Sequence, residues 1–161
     1  MCSVRARWKS CSRRKLVVVI MARVLTGKIS HPGVAEGEVL LLTEPVSFWG
    51  GVDHHGEIID VHHAQHKAKM TNKILVMPSG RGSSSATAVL AELIRTGDGP
   101  LAIVMLQCDT ILVIGALVSA EIYDISLPIV ELEQAEYDQL TDGMRVSVDA
   151  RSDQEVATIS F

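Results

Sequence analysis

With 161 residues, 47% apolar and only 21% charged, the chain is long enough to bury a core and too apolar to stay disordered. Six of its fifteen basic residues (Arg5, Arg7, Lys9, Arg13, Arg14 and Lys15) fall in residues 1–20 with no acid, which leaves nine basic against nineteen acidic residues elsewhere. A body this acidic lacks the clustered Lys and Arg that phosphate contacts need, which excludes nucleic acid as a partner.

Residues 1–20 are expected to form a basic, disordered extension, and residues 21–161 a single domain. The apolar run "LVVVIM" resembles a signal sequence only superficially, because it is short and no small-residue cleavage site follows it. No run approaches the roughly 18 apolar residues of a membrane span. Cys2 and Cys11 lie in the extension and Cys108 stands alone in the body. That is neither a disulfide framework nor a metal site, and it suits a reducing cytoplasm. Cys108 follows "LAIVML" and is expected to be a small buried hydrophobe.

In chain order, residues 23–48 predict two strands joined by a Gly/Pro turn at His31–Gly33. "GGVD" breaks the pattern, "EIIDV" (57–61) predicts a short strand, and a polar His-rich loop runs to about Asn72. "KILVM" (73–77) predicts a buried strand. Ala86, Val89, Leu90, Leu93 and Ile94 then follow helical spacing up to Gly97, a residue suited to ending the helix. "LAIVML" (101–106) predicts another buried strand, Asp109 caps a helix to about Glu121, and "PIVEL" (128–132) predicts a strand. A short acidic helix near 134–140 precedes a hairpin of "GMRVSVDA" and "EVATISF" around "RSDQ". Strands at both ends and a β-α-β-α-β passage between them predict an α/β domain with a partly parallel sheet.

The stretch "PSGRGSSSAT" (78–87) joins a buried strand to a helix N-terminus, where open α/β sheets bind ligands and unpaired amides attract anions. Gly80 and Gly82 allow close backbone approach, Arg81 adds a charge and the serines add donors. A plain capped loop is the simple alternative. Three serines with paired glycines and an arginine favour an anion site. A Walker loop fails for want of lysine, and a G-x-S-x-G elbow fails because Ser84 and Ser85 follow Ser83. The loop also resembles the Gly-Ser-Ser-Ala phosphate loop of the galactokinase, homoserine kinase and mevalonate kinase superfamily, whose other motifs are absent here.

"SFWGGVD" (47–53), "KILVMPSGRGSSSATAVLAEL" (73–93), "GPLAIVM" (99–105) and "GALVSAEIYDISLPIV" (115–130) occur in one order. Together they resemble the small subunit, or swivel domain, of the aconitase X family, over roughly residues 22–150. The resemblance implies a swivelling β/β/α domain, as in the fourth domain of aconitases. It implies a separate large catalytic subunit holding an iron or iron–sulfur centre, and removal of water from a small hydroxy acid. It makes Ser83 the catalytic base and assigns Arg81, Gly82, Ser84, Ser85, Gly51 and Asp53 to the substrate, with Ser84 as cap or substrate donor. Ser85 stands where aconitases keep a carboxylate-gripping arginine, which argues against a tricarboxylate such as citrate. The substrates implied are cis-3-hydroxy-L-proline, which the wording of the motifs favours, and mevalonate 5-phosphate. The rival of another class is a binding or phosphocarrier module. Phosphohistidine swivel domains end in a hairpin similar to "DGMRVSVDA" but carry histidine on their loop.

Five of six histidines (His54, His55, His62, His63, His66) fall in "DHHGEIIDVHHAQH". Imidazole suits transition metals, but no ligand motif accompanies the cluster and a solvated, partner-facing loop is expected. Phe48 and Trp49 fit equally a core anchor before a turn and, through the resemblance, a loop at the active-site mouth. Glu131, Glu133, Glu136 and Asp138 fit a solvated face.

Overall fold

The computed structural model describes residues 23–161; the extension expected at residues 1–20, with Cys2 and Cys11, lies outside the described residues. Seven strands close into a barrel in the order β1-β5-β4-β3-β2-β6-β7. The strands are β1 (Val24–His31), β2 (Gly33–Leu41), β3 (Lys73–Ser79), β4 (Ala102–Gln107), β5 (Ile129–Glu131), β6 (Arg145–Ala150) and β7 (Ala157–Ser160). β2, β3, β4 and β5 run parallel to their neighbours in that series, and the remaining pairs are antiparallel. The partly parallel sheet is as expected, but it is closed rather than open.

Alternation on β3 and β4 explains the two cores. Ile74, Val76, Ala102 and Val104 point into the barrel, where they meet Val39, Val130, Val146, Val148 and Ile159. Leu75, Met77, Ile103 and Met105 point outwards and are covered by Leu90 and Leu93 of α2 (Ala86–Thr96) and Leu112 and Ala116 of α3 (Thr110–Tyr123). A strand buried on both faces is a continuous apolar run, which is why these two segments lack a polar alternation. α2 stops at Gly97, whose left-handed conformation returns its amide to the Ile94 and Leu93 carbonyls. The Asp109 side chain accepts from the Ile111 amide and caps α3 as expected. A short turn, α1 (Phe48–Gly51), lies between β2 and β3, and a four-residue helical turn, α4 (Gln134–Tyr137), precedes β6 and β7, which pair as the expected hairpin.

β1 and β2 are joined by the expected turn at His31–Gly33 but share no ladder. β1 pairs with β5 and β7, and β2 with β3 and β6, so the His31–Gly33 turn carries the chain across the barrel. Buried His31 secures that crossing, with Nδ1 2.8 Å from the Leu127 carbonyl. The strand expected at 57–61 is reduced to the isolated bridges Val52–Ile58 and Glu57–Lys69. The carboxylates flanking it compete for its amides: Asp53 accepts from His55 and Glu57, and Asp60 from His62. Among the described residues, no helix is long and apolar enough to cross a membrane.

Candidate active site

The serine loop leaves the carboxyl end of β3 and enters α2. A parallel bridge between Val46 and Gly80, and the Arg81 amide donating to the Val46 carbonyl at 3.3 Å, tie its start to the segment that ends in "SFWGGVD". Gly80 lies directly against the Asp109 carboxylate at the end of β4, so any side chain there would displace the cap of α3. Gly82 takes φ +132°, and a Cβ on it would stand 2.6 Å from Ser47 Oγ. Only glycine meets both conditions. The paired glycines thus place the loop backbone against two neighbouring elements.

Arg81, Gly82, Ser83, Ser84 and Ser85 are all exposed. The Ser85 amide points at Ser83 Oγ, 3.3 Å away, and the Ala86 amide donates to the Ser83 carbonyl at 2.9 Å. Ser83 therefore supplies the capping oxygen of α2, and Ser84, expected as cap or substrate donor, makes no cap bond. Ser85 occupies the residue before the helix but makes no side-chain cap bond. The amides of Gly82, Ser83 and Ser84 have no acceptor among the described residues. Exposed donors at the start of an eleven-residue helix favour an anion at this end of the barrel.

Arg81 reaches out of the loop to Asp60, Nη2 to Oδ2 3.1 Å. The His62 amide on Asp60 Oδ1, aided by Arg81, holds the Asp60 carboxyl below its usual range despite some desolvation. Its folded pKa is thus lower than its unfolded one. The stabilisation is fully present above the ordinary aspartate value of about 4 and is lost as pH falls through the folded value. Amide exchange of residues 58–62 and 80–83 is therefore expected to accelerate on acidification below about pH 4 in the wild type. The acceleration beyond the intrinsic pH dependence should vanish in Asp60→Asn.

The remaining assigned residues take other places. Gly51 is buried behind the ion pair, where its carbonyl accepts from Ile59 at 2.9 Å and Asp60 at 3.4 Å, so it supports Asp60 rather than meeting solvent. Asp53 uses Oδ1 to hold the His55 and Glu57 amides at 2.9 and 2.8 Å. Burial pushes its carboxyl up, but those amides together with the neighbouring His55 and His54 leave it below the usual range. It lines an apolar recess of about 390 Å³ with Trp49, His54 and Leu93, not the polar surface around Arg81. The "SFWGGVD" motif divides between its two expected roles: Phe48 is 1% exposed in the core and Trp49 is 60% exposed.

The histidines are not one cluster. His54 and His55 lie against each other with ring centroids 3.9 Å apart and their planes tilted by 43°, and His62 is exposed. His63 is buried, with Nδ1 accepting from the Gln65 amide at 3.0 Å and Nε2 3.3 Å from the Glu44 carbonyl. Both ring nitrogens are thus engaged in holding the loop. Among the described residues no group of three or more His, Cys, Asp or Glu side chains is placed to hold a metal. The donor set also does not fit an iron or iron–sulfur centre, because Cys108 is the only cysteine in residues 23–161. Ser47, Glu44 and Asp60 went unassigned in the sequence, and Asp109 was assigned only as a helix cap. Only Asp109 had a recognisable signal.

The aconitase X swivel domain family matches residues 24–158. A cis-3-hydroxy-L-proline dehydratase of Pseudomonas aeruginosa is 42% identical over 109 residues, which is 67% of this chain and 19% of that protein. The chain thus spans about a fifth of the length of that relative. A phosphomevalonate dehydratase small subunit of Methanosarcina acetivorans is 35% identical over 126 residues, 77% of this chain and 83% of that subunit. The crystal structure of Thermococcus kodakaraensis aconitase X in its holo form superposes with a TM-score of 0.72 at 35% identity, over 85% of this chain and 98% of that one. The barrel with helices packed on its parallel strands is the swivel fold that the motifs implied, and the chain belongs to the aconitase X swivel-domain family.

Proposed function

We propose that this chain is the swivel component of an aconitase X-type hydro-lyase, in which Ser83 removes the proton alpha to a carboxylate as a hydroxy acid loses water. The observation that carries this is the Ser85 amide directed at Ser83 Oγ at the start of α2, beside amides with no protein acceptor. A serine hydroxyl is a poor base because its alkoxide is too high in energy in water. Aligned N–H groups at a helix N-terminus lower the energy of a negative oxygen, and more so once water is excluded. The loop of this chain is open to solvent, so the reading requires a large catalytic subunit to close over it.

In the step assigned to this chain, the carbon–hydrogen pair becomes the new double bond, the proton moves to Ser83 Oγ, and the hydroxyl leaves with its own bonding pair. The amides of Gly82 and Ser84, with Arg81 and the Ser84 and Ser85 hydroxyls, hold the carboxylate that faces the loop. An iron or iron–sulfur centre belongs to the large subunit in this reading, and no step is derived through it. Family membership favours this over a phosphocarrier, as does a loop of serines without histidine.

The substrate proposed is cis-3-hydroxy-L-proline. Mevalonate 5-phosphate is the second reading, favoured by the match to a separate small subunit of similar length. Co-expression of this chain with a large catalytic subunit from the same genome, followed by assay of both hydroxy acids, tests the proposal. Water loss from one of them by the complex, and none by this chain alone, is the expected result. A complex that forms and dehydrates neither would overturn it.

A further inference from the structure

The polar cavity beside the serine loop holds about 350 Å³ and is lined by Glu44, Asp60, His62, His63 and Arg81. His63 has both ring nitrogens at backbone groups, Nδ1 at the Gln65 amide and Nε2 at the Glu44 carbonyl. Asp60 is also spent, with Oδ1 on the His62 amide and Oδ2 on Arg81. Glu44 differs: Oε1 accepts from the Ala64 amide at 2.7 Å, and Oε2 has no partner among the described residues. Asp60 and Arg81 offset each other as an ion pair, so the Glu44 carboxylate is the charge in excess beside the two imidazoles, and its free oxygen is an acceptor.

That charge is the wrong sign for a phosphate monoester and the right sign for an ammonium group. The placement narrows the chemistry further. Arg81, in the cavity lining, is two residues from Ser83, so their Cα atoms lie within about 7 Å and the cavity adjoins the loop that carries the proposed base. An ammonium bonded to the very carbon that loses its proton is the substrate group nearest that base. A phosphate at the far end of a longer hydroxy acid is not.

We infer that this cavity receives the ammonium group of an α-amino-acid substrate, and that Glu44 is the specificity-determining residue that selects for it against phosphorylated hydroxy acids. The inference rests on the hydro-lyase reading for its substrate class. Its test reads binding rather than turnover, so the two can fail separately.

The experiment is calorimetric titration of the complex with its large subunit, wild type against Glu44→Gln. Glutamine preserves the acceptor for the Ala64 amide, so the loop is retained. The probes are cis-3-hydroxy-L-proline, mevalonate 5-phosphate and tetrahydrofuran-2-carboxylate, whose ring oxygen replaces the ammonium. Glu44→Gln is expected to weaken hydroxyproline about 10-fold, the loss of one charge-assisted hydrogen bond. It should leave tetrahydrofuran-2-carboxylate unchanged and leave mevalonate 5-phosphate unchanged or tighter. Equal hydroxyproline affinity in the two proteins would overturn the inference. So would an equal loss for the ring-oxygen analogue, which would mark Glu44 as merely structural. Failure of the complex to dehydrate either acid would count against the hydro-lyase reading and leave the binding contrast to decide Glu44.

Discussion

Replacing Ser83 by alanine in the assembled enzyme is expected to lower kcat by about 10²–10⁴-fold, the usual contribution of a general base, while the complex still forms. The same change removes the α2 cap, because Ser83 Oγ is the atom that the Ser85 amide faces. Loss of such a cap costs about 1 kcal/mol, so a modest fall in Tm is expected as well. Ser83→Asn separates the two roles: its amide oxygen can cap the helix but cannot become an alkoxide. Ser83→Asn should therefore melt near wild type and be as inactive as Ser83→Ala. Ser83→Ala within a few-fold of wild-type activity would remove Ser83 as the base. Activity tracking Tm across the two variants would show that the serine matters only as a cap.

The loop could be located in the sequence while its internal assignments could not. Strand, glycine pair, serine run and helical spacing occur within about twenty consecutive residues, and each is a local signal that survives folding. Which serine caps the helix depends on the φ and ψ of Ser85, which sits in helical backbone without a cap bond of its own. No residue pattern states that. Asp60 was missed for a different reason. It lies twenty-one residues from Arg81, in a segment whose apolar residues suggested a strand, and its partner is chosen by how the 47–60 segment folds back on the loop. The pairing of β1 with β5 and β7 was invisible on the same grounds, since two strands joined by a short turn suggest neighbours and closure of the barrel overrides that. By contrast, β3, β4 and both long helices were legible because burial on both strand faces and helical periodicity are written in contiguous residues.

"SFWGGVD" supports the second large effect. Phe48 is 1% exposed and packs in the cluster that includes Val46, Val52, Ile58 and Leu93, so it anchors one end of the segment that carries Ser47, Gly51 and Asp60. Phe48→Ala is expected to cost about 3–5 kcal/mol through lost burial and the cavity left behind. In a domain of this size that lowers Tm by on the order of 10 °C. The damage should not stop at stability. Ser47 packs on Gly82 and Asp60 pairs with Arg81, so loosening their anchor releases the serine loop on two sides. Substrate affinity of the complex should therefore fall in Phe48→Ala even at temperatures where it is fully folded. Trp49 is the control next door: at 60% exposure its removal should leave Tm within a degree or two. Among the described residues its ring is left largely uncovered, so Trp49→Ala is expected to weaken assembly with the large subunit, as read by sedimentation or calorimetry. If Trp49→Ala melts like Phe48→Ala and assembles normally, the motif is a core anchor throughout. If Phe48→Ala is destabilised with unchanged substrate affinity, the 47–60 segment does not support the site.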